Sequence, residues 1–529
     1  MLWEIAIGIP RAWQATLLAV FVLLVWRLWT FTATHIFWPS RPKELPYYIP
    51  FLGHVYSFFF SSFELMERGL SYTYRSHEPL SIQLPGRKLY IITRPEDVSE
   101  VFNNKTHTLD HDSTLRETLL AFGVTLEGSK RAWRSRDTGD RPFPHDHTSD
   151  APRTAAQPAQ SLINWIRDSF RKHLMNPQTL YEMADLFRDS LLESFSSERL
   201  EQYIATGSSQ NSIPVYTFLR HAMVEASVRS IFGQHLHEVD PECVQNMLAF
   251  NDHAWQIVMR YPTFFGLSSV SKPYNTMMRT MRAFVQRPLS DNDGANPLIK
   301  NVLRGMEVAE LDTQSRAAVI LMIFWAATSN EYNALFWIIS HLMHDPALLE
   351  VVRRETDAAW SMNGSCLDTK HLKKGCPTLN AVFHEILRHK NAAGTMRLVK
   401  STTLIGGKTL KPGNLAYVPF RQLHNNEAVW GPACNDFDHT RFLDKNKAMM
   451  RNPAFRPFGG GQTHCTGRTL AKLEVFSAVA ILLRRFEVKL AQTSDGSFPS
   501  LPALDTQTIS LGINGPVRGS DLLIEISNK

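Results

Sequence analysis

The segment Phe458-Gly459-Gly460-Gly461-Gln462-Thr463-His464-Cys465-Thr466-Gly467-Arg468 sets one cysteine after a glycine-rich turn and just before an amphipathic stretch, Leu470 through Leu483. A thiolate at a helix N-terminus faces free backbone N–H groups and the positive end of the helix dipole, which favour its charged form. Consecutive glycines carry no Cβ, so the backbone there can approach a flat ligand closely. The ring of Phe458, seven residues before the cysteine, can shield the other side. A sulfur ligand, an uncluttered turn and an aromatic shield are together what a thiolate-ligated haem iron requires. A lone cysteine ahead of a helix is more often an inert core residue, so the upstream chain has to agree.

Two upstream stretches carry further chemistry. Arg316 to Met343 is the longest strongly apolar-periodic run, expected to be one helix, and its middle reads Phe324-Trp325-Ala326-Ala327-Thr328-Ser329-Asn330-Glu331. Polar residues inside an apolar helix are costly unless something uses them. A flat cofactor lying against Ala326 and Ala327 would account for the missing bulk there. Glu385-Ile386-Leu387-Arg388 then puts a carboxylate and a guanidinium on one helical face, about 80 residues before Cys465. Alone, such a pair is ordinarily a solvated surface contact.

Phe-x-x-Gly-x-x-x-Cys-x-Gly from Phe458 to Gly467, the helix around Ala326 and the Glu385–Arg388 pair followed by Phe437-Asp438-His439-Thr440-Arg441-Phe442 resemble the cytochrome P-450 family. The likeness covers roughly residues 39–529 and is strongest from 316 to 490. It implies haem b, iron protoporphyrin IX, held by an axial Cys465 thiolate, with Phe458, Gly459, Gly461, Gly467, Ala326 and Ala327 around the ring. It implies that Arg441 joins Glu385 and Arg388 in a buried network supporting the haem loop, and that His424, Trp430 and Gly431 belong to the same region. By family position Arg397 is a propionate partner, with Arg167 and Arg171 as weaker candidates. Thr463 stands where that family usually has another propionate-binding arginine, and His439 where it usually has proline.

In the family, the helix over the distal face carries a small residue and an acid–alcohol pair that relay protons. This sequence has Ser329 at the acid position and Asn330 at the threonine position, with Thr328 just before them. Such an asparagine is similar to the branch of sterol 7α- and 12α-hydroxylases and prostacyclin synthase, and Trp325-Ala326 and Phe336-Trp337 strengthen that likeness. Within that branch the asparagine accompanies both oxygen activation and oxygen-free isomerisation. Three readings stand: a monooxygenase acting on a bulky lipophilic substrate such as a terpenoid, sterol or other secondary metabolite; an isomerase or dehydratase acting on a peroxide without external electrons, motivated by Asn330; and a haem-binding protein without turnover, suggested by Thr463 and the unusual 128–160 tract. The haem-loop wording is also similar to filamentous-fungal enzymes of secondary metabolism. Substrate contacts are expected from 119–124, 250–265, 392–396 and Gly512-Ile513. No dinucleotide fingerprint follows a strand, so electrons for the first reading would come from a separate NADPH–cytochrome reductase.

The chain that positions these residues has 529 amino acids, 44% of them hydrophobic, enough for a large core. Lys and Arg number 56 against 50 Asp and Glu, a mild excess spread along the chain that does not suggest nucleic acid. Five scattered cysteines without CxxC spacing fit a reducing compartment. From Ala12 to Phe31 the chain is almost uniformly apolar, about the 20 residues that cross hydrocarbon. Arg27 near the end of the span and Arg41 and Lys43 after it stand against Arg11 before it, which is expected to place the following mass on the cytoplasmic side. Residues 1–38 are thus expected to be a single-pass anchor, in endoplasmic reticulum membrane by resemblance, joined by a proline-rich connector to a catalytic domain at 39–529. The pattern predicts a mainly α fold with a small β portion. It has a hairpin at 80–92, helices near 178–196, 214–233, 243–260, 316–343 and 467–485, and strands near 397–420 and at 508–513. Residues 128–160, polar and without apolar period, are expected to form an exposed loop.

Overall fold

The computed structural model describes the chain except residues 1–10, 136–142, 144–159, 204–211, 262–268, 288–294, 363, 365 and 493–495. The fold is mainly α with a small β portion. Its strands are β1 (Lys43–Glu44), β2 (Leu80–Leu84), β3 (Arg87–Ile91), β4 (Leu109–Asp110), β5 (Ser212–Pro214), β6 (Gly394–Val399), β7 (Thr403–Ile405), β8 (Lys408–Leu410), β9 (Leu415–Pro419), β10 (Phe486–Leu490) and β11 (Leu523–Asn528).

Two compact units divide the chain. The first comprises 1–114 and 394–423. It holds a six-stranded sheet in the order β1-β2-β3-β9-β6-β4 and the small β7-β8 ribbon. The β2–β3 hairpin pairs Leu80 with Ile91 and closes through Pro85-Gly86, where glycine takes the left-handed φ of +78°. Helices α1 (Arg11–Leu28), α2 (Ser62–Tyr72) and α3 (Pro95–Asn103) belong to it, the last started by Pro95 and two acidic residues in its first turn. Leu17, Leu18, Phe21, Leu24 and Leu28 of α1 are all exposed. With the π turn Trp29–Ala33 and the helical turn Thr34–Phe37 that continue it, α1 makes a helix long and apolar enough to cross a membrane, Ala12–Phe37. Arg397 lies on β6, buried, with its guanidinium 5.5 Å from the Phe102 ring centre.

The second unit comprises 115–393 and 424–529. Its helices include α4 (Leu126–Trp133), α5 (Pro177–Ser194), α6 (Val215–Phe232), α7 (Cys243–Asn251), α8 (Thr313–Thr328), α9 (Glu331–His344), α10 (Pro377–His389) and α11 (Arg468–Arg485). α6 packs on α5 and α9, and α11 on α5 and α9, around Phe324, Phe336, Trp337 and Phe476, none of which reaches solvent. A β10-β11-β5 sheet closes the C-terminus of α11.

Four expectations need correction. The run from 316 to 343 is not one helix: it breaks at Ser329-Asn330 between α8 and α9. Both side chains there find local partners, Asn330 Nδ2 donating to Ser329 Oγ at 3.0 Å, and such bonds compete with the helical ladder. Residues 128–133 lie in α4 rather than in a loop, because Thr125 Oγ1 caps it by accepting Gly128 N–H and because Gly128, Ser129 and Ala132 are buried. Of the polar tract beyond, residues 136–142 and 144–159 fall outside the described residues; Phe143 between them stacks on Trp165. The 243–260 run is interrupted after Asn251 and resumes only for Trp255–Val258. No strand forms at 508–513: Ile513 makes one bridge to Asn391, and the C-terminal strand is β11.

Candidate active site

The cysteine turn is built from backbone geometry that only glycine adopts without strain. Gly459 and Gly461 sit at φ +75° and +58°, and a 3-10 turn spans Gly461–Thr463. Cys465 N–H then closes back on the Phe458 carbonyl at 3.0 Å, and Thr463 Oγ1 donates to Gly460 O at 3.0 Å. Thr463 is thus a staple of its own turn. Gly467 opens α11 without a side chain, and the amides of Gly467 and Arg468 turn toward the sulfur. A Cβ on Gly467 would sit 3.9 Å from Sγ, in ordinary contact.

Burial still pushes the Cys465 thiol above its usual range, the two amides and Arg468 pulling the other way. Burial and the helix terminus thus act in opposite directions on this sulfur. A cation bound to the sulfur would supply the missing counter-charge. Cys465 is exposed by surface yet densely surrounded by protein, the situation of a group at the bottom of a hollow. Cys243 and Cys376 are buried and pushed to about 12, which makes them inert.

The turn is held from below by a buried charge cluster. Glu385 and Arg388 are both fully buried, Oε1 receiving Nη2 at 2.6 Å and Oε2 receiving Nε at 2.8 Å. Asp438 N–H adds a bond to Oε1 at 2.9 Å, and Arg441 Nε stands 3.6 Å from the same oxygen. Arg441 donates to the carbonyls of Trp430 and Ala433 at 2.9 and 2.8 Å. Arg388 spends its remaining donors on the carbonyls of His424, Cys434 and Asp436, at 3.0, 2.7 and 3.0 Å, with its guanidinium 5.2 Å from the Trp430 ring centre.

This cluster reaches the cysteine turn through His424. Its Nε2 accepts Arg456 N–H at 3.0 Å, so the ring is neutral at that nitrogen, and burial lowers its pKa to about 3. Asn391 Nδ2 holds the neighbouring Pro457 carbonyl at 3.0 Å. Asp438 replaces the turn chemistry of the absent proline by accepting Thr440 N–H at 3.0 Å.

On α8, Phe324 and Thr328 are buried, whereas Ala326 is exposed and Ala327 half-buried. A small, apolar, uncovered face in the last turn of a core helix, just before the break, fits a flat hydrophobic ring. The polar residues after it are not idle. Thr328 Oγ1 donates to Phe324 O at 2.9 Å, and Asn330 Oδ1 accepts Ile513 N–H at 2.9 Å. Glu331 folds its carboxylate back to accept Asn330 N–H at 3.2 Å. It retains some accessible surface while protein encloses it, and burial raises its pKa to about 7. Glu474 of α11, deeply buried beside it, is also pushed up, first by desolvation and then by Glu331.

Arg167 and Arg171 lie on the helix Leu162–Met175 and bond Asn164 and Asp168 one turn earlier, at 3.3 and 3.2 Å. Of the expected substrate-contact residues, Phe264 and Phe265 fall outside the described residues. Phe122 and Phe250 are buried and meet edge to face at 6.2 Å. Sequence reasoning gave no role to Asn333, Tyr216, Asn391 and Glu474, and noted Glu331 only as one of the polar residues in the apolar run. Polar side chains at core-facing positions of otherwise apolar helices were the available signal for Asn333 and Glu474.

Comparison with known proteins follows the same direction. Residues 166–508 match the cytochrome P450 family. Cytochrome P450 monooxygenase poxD of Penicillium oxalicum is 22% identical over 486 residues, 89% of this chain and 92% of its own length. Cytochrome P450 monooxygenase calL of Penicillium decumbens is 22% identical over 466 residues, 82% of this chain and 84% of its own length. Cholesterol 7-alpha-monooxygenase of Cricetulus griseus is 23% identical over 328 residues, 57% of this chain and 64% of its own length.

Proposed function

From the premise that the chain belongs to the cytochrome P450 family, we propose that it oxidises a bulky lipophilic secondary metabolite, terpenoid or sterol while anchored in the endoplasmic reticulum membrane. The coarse activity is that of a haem monooxygenase, an oxidoreductase with iron protoporphyrin IX and an axial cysteine. When bound, the haem supplies cleavage of dioxygen and insertion of oxygen into a substrate bond, driven by the electron-donating thiolate.

The observation that carries the site assignment is the pairing, within one compact unit, of an accessible Cys465 on a left-handed glycine turn with the uncovered Ala326–Ala327 face. Cys465 would hold the iron, Gly459 and Gly461 shape the turn that presents it, and Ala326 and Ala327 leave room for the ring. Glu385, Arg388 and Arg441 keep the turn in register through His424 and Arg456. Of the two hydroxyls at the helix break, Thr328 Oγ1 is bonded to the Phe324 carbonyl, and Ser329 Oγ, which receives Asn330 Nδ2, is the one we assign a part near the reacting centre.

Electrons would come from a separate NADPH–cytochrome reductase. The span Ala12–Phe37 supports the anchor, and the exposed Tyr48, Ile49, Phe51 and Tyr56 continue an apolar surface just after it. Asn330 and Ser329, standing where the family's alcohol and acid usually do, also favour a second reading, rearrangement of a peroxide without external electrons.

Reduced carbon monoxide spectra of the membrane-bound protein test the assignment. Wild type should show the red-shifted Soret band of thiolate ligation, and Cys465→Ala should lose it while keeping its far-ultraviolet circular dichroism; an unchanged band would mean another axial ligand. Incubation with a panel of lipophilic candidates, with and without NADPH and reductase, separates the readings. Turnover that needs NADPH supports oxygenation, whereas turnover of hydroperoxides without it supports isomerisation.

A further inference from the structure

Asn330 stands where the family's alcohol acts on oxygen, but its carboxamide is already committed. Oδ1 accepts Ile513 N–H at 2.9 Å and Nδ2 donates to Ser329 Oγ at 3.0 Å. Asn333, one turn along α9, donates through Nδ2 to the Ile513 carbonyl at 3.0 Å and to Ser329 O at 3.3 Å. Tyr216 of α6 fixes that carboxamide by donating its hydroxyl to Asn333 Oδ1 at 2.9 Å. Trp337, a further turn along, donates Nε1 to Asn514 O at 2.7 Å. Three side chains on one face of the broken helix therefore hold consecutive backbone groups of a single extended segment.

The other edge of that segment is also tied. Ala392 N–H donates to Gly512 O at 2.9 Å, and Asn514 N–H to Lys390 O at 3.0 Å. Gly512 itself is not in the left-handed region, so glycine is not required there for conformation. It is required for space: an added Cβ would overlap Asn330 Oδ1 and lie 2.5 Å from its Cγ. Ile513, fixed on both sides, is 93% covered, its relative exposure being 7%.

We propose that Asn330 is a positioning residue: with Asn333 and Trp337 it latches the Gly512–Asn514 segment to the helix break, and Gly512 is a specificity determinant because any side chain there displaces the latch. Resting on the haem-monooxygenase reading, the latch would set how closely the 512–514 segment approaches a bound ligand. Its effect is on ligand shape, not on proton delivery.

The test uses the full-length holoenzyme and two probes that bind iron through nitrogen, imidazole and the bulky azole clotrimazole, followed by optical titration. Amide hydrogen exchange of the peptide containing Ile513 is followed alongside. Asn330→Ala should accelerate exchange at Ile513 about 5- to 10-fold, the loss of one hydrogen bond. It should shift the clotrimazole Kd by a similar factor with imidazole unchanged. Asn330→Asp, which keeps an acceptor for Ile513 N–H, should rescue the protection. Gly512→Ala should reproduce the Asn330→Ala pattern, and the double variant should be no worse than either alone, because both break one contact. Unchanged exchange at Ile513 in Asn330→Ala, or equal shifts for both azoles, overturns the proposal. Failure of wild type to bind imidazole would instead overturn the haem reading.

Discussion

Glu385→Ala is the substitution whose cost the geometry fixes most tightly. The carboxylate receives three N–H groups at 2.6, 2.8 and 2.9 Å and no solvent. Removing it leaves the Arg388 guanidinium buried with only carbonyl partners, Asp438 N–H without its acceptor, and Arg441 facing a second cation. Breaking a buried pair from one side costs about 3–5 kcal/mol, because the surviving charge stays out of water. Glu385→Gln keeps the volume and one acceptor but loses the charge, and should cost roughly half as much, on the scale of about 1.5–3 kcal/mol for hydrogen bonds to charged groups.

The deciding comparison is the double variant Glu385→Ala/Arg388→Met. Removing both charges removes the uncompensated cation, so the double should be less destabilised than Glu385→Ala alone. Urea unfolding of the detergent-solubilised chain by tryptophan fluorescence measures this; Trp430 lies against Arg388 and reports on the cluster. The haem content of each purified variant should follow the same order, since His424 carries the disturbance to Arg456 and the cysteine turn. A cost below about 1 kcal/mol for Glu385→Ala, or a double variant as unstable as the sum of the singles, would refute the reasoning.

Glu331 gives a pH test. Its folded pKa of about 7 lies above the ordinary 4.5, so its contribution is fully present below pH 4.5 and lost as pH rises through 7. The difference, 7 minus 4.5 at about 1.36 kcal/mol per unit, is roughly 3 kcal/mol, and Glu474 shifts in the same direction. Glu331→Gln should therefore gain stability relative to wild type between pH 5.5 and about 8.5; equal urea midpoints across that range would exclude the shift. Gly459→Ala should cost about 1–2 kcal/mol from its φ of +75° and lower haem occupancy, read from the ratio of Soret to protein absorbance. Deleting residues 1–38 should move part of the protein from the membrane pellet to the supernatant with its haem spectrum intact; loss of haem on deletion would contradict the separation of anchor from site.

What was legible in the sequence was local. The cysteine turn, the Glu385–Arg388 spacing and the small residues of α8 are each defined within a dozen positions, and short-range geometry places them whatever the rest of the chain does. The helix break was not legible, because apolar residues resume at Ala334-Leu335-Phe336 after the polar Thr328-Ser329-Asn330-Glu331, and a polar patch in a helix can as well serve a ligand as end the helix. Beside the local Asn330–Ser329 bond, the broken turn carries a contact from Asn330 to Ile513, 183 residues away, which no local pattern announces. The carbonyl partners of Arg388 were likewise invisible, since a backbone oxygen has no letter in the sequence. α4 was misread for a different reason. Its polar face reads as loop, and the caps that start it, Thr125 with Ser315 Oγ accepting Thr125 N–H at 3.0 Å, come from both ends of a long separation.

The break also explains why the asparagine is free to do something other than cap a helix. At an interrupted helix the first N–H groups of the second segment lose their partners, and asparagine at the boundary ordinarily supplies an acceptor. Asn330 makes no such bond: Glu331 turns back instead and takes Asn330 N–H on its own carboxylate. An acid at a helix start is favoured by the dipole, which offsets part of the cost of enclosing it beside Glu474, although burial still dominates its pKa. The division of labour follows from geometry. Glu331 takes the Asn330 N–H, while the neighbouring carboxamide reaches outward to the Gly512–Asn514 segment. Threonine at 330 would keep the N–H that Glu331 accepts and lose the outward reach, because a β-hydroxyl is one bond shorter than a carboxamide oxygen.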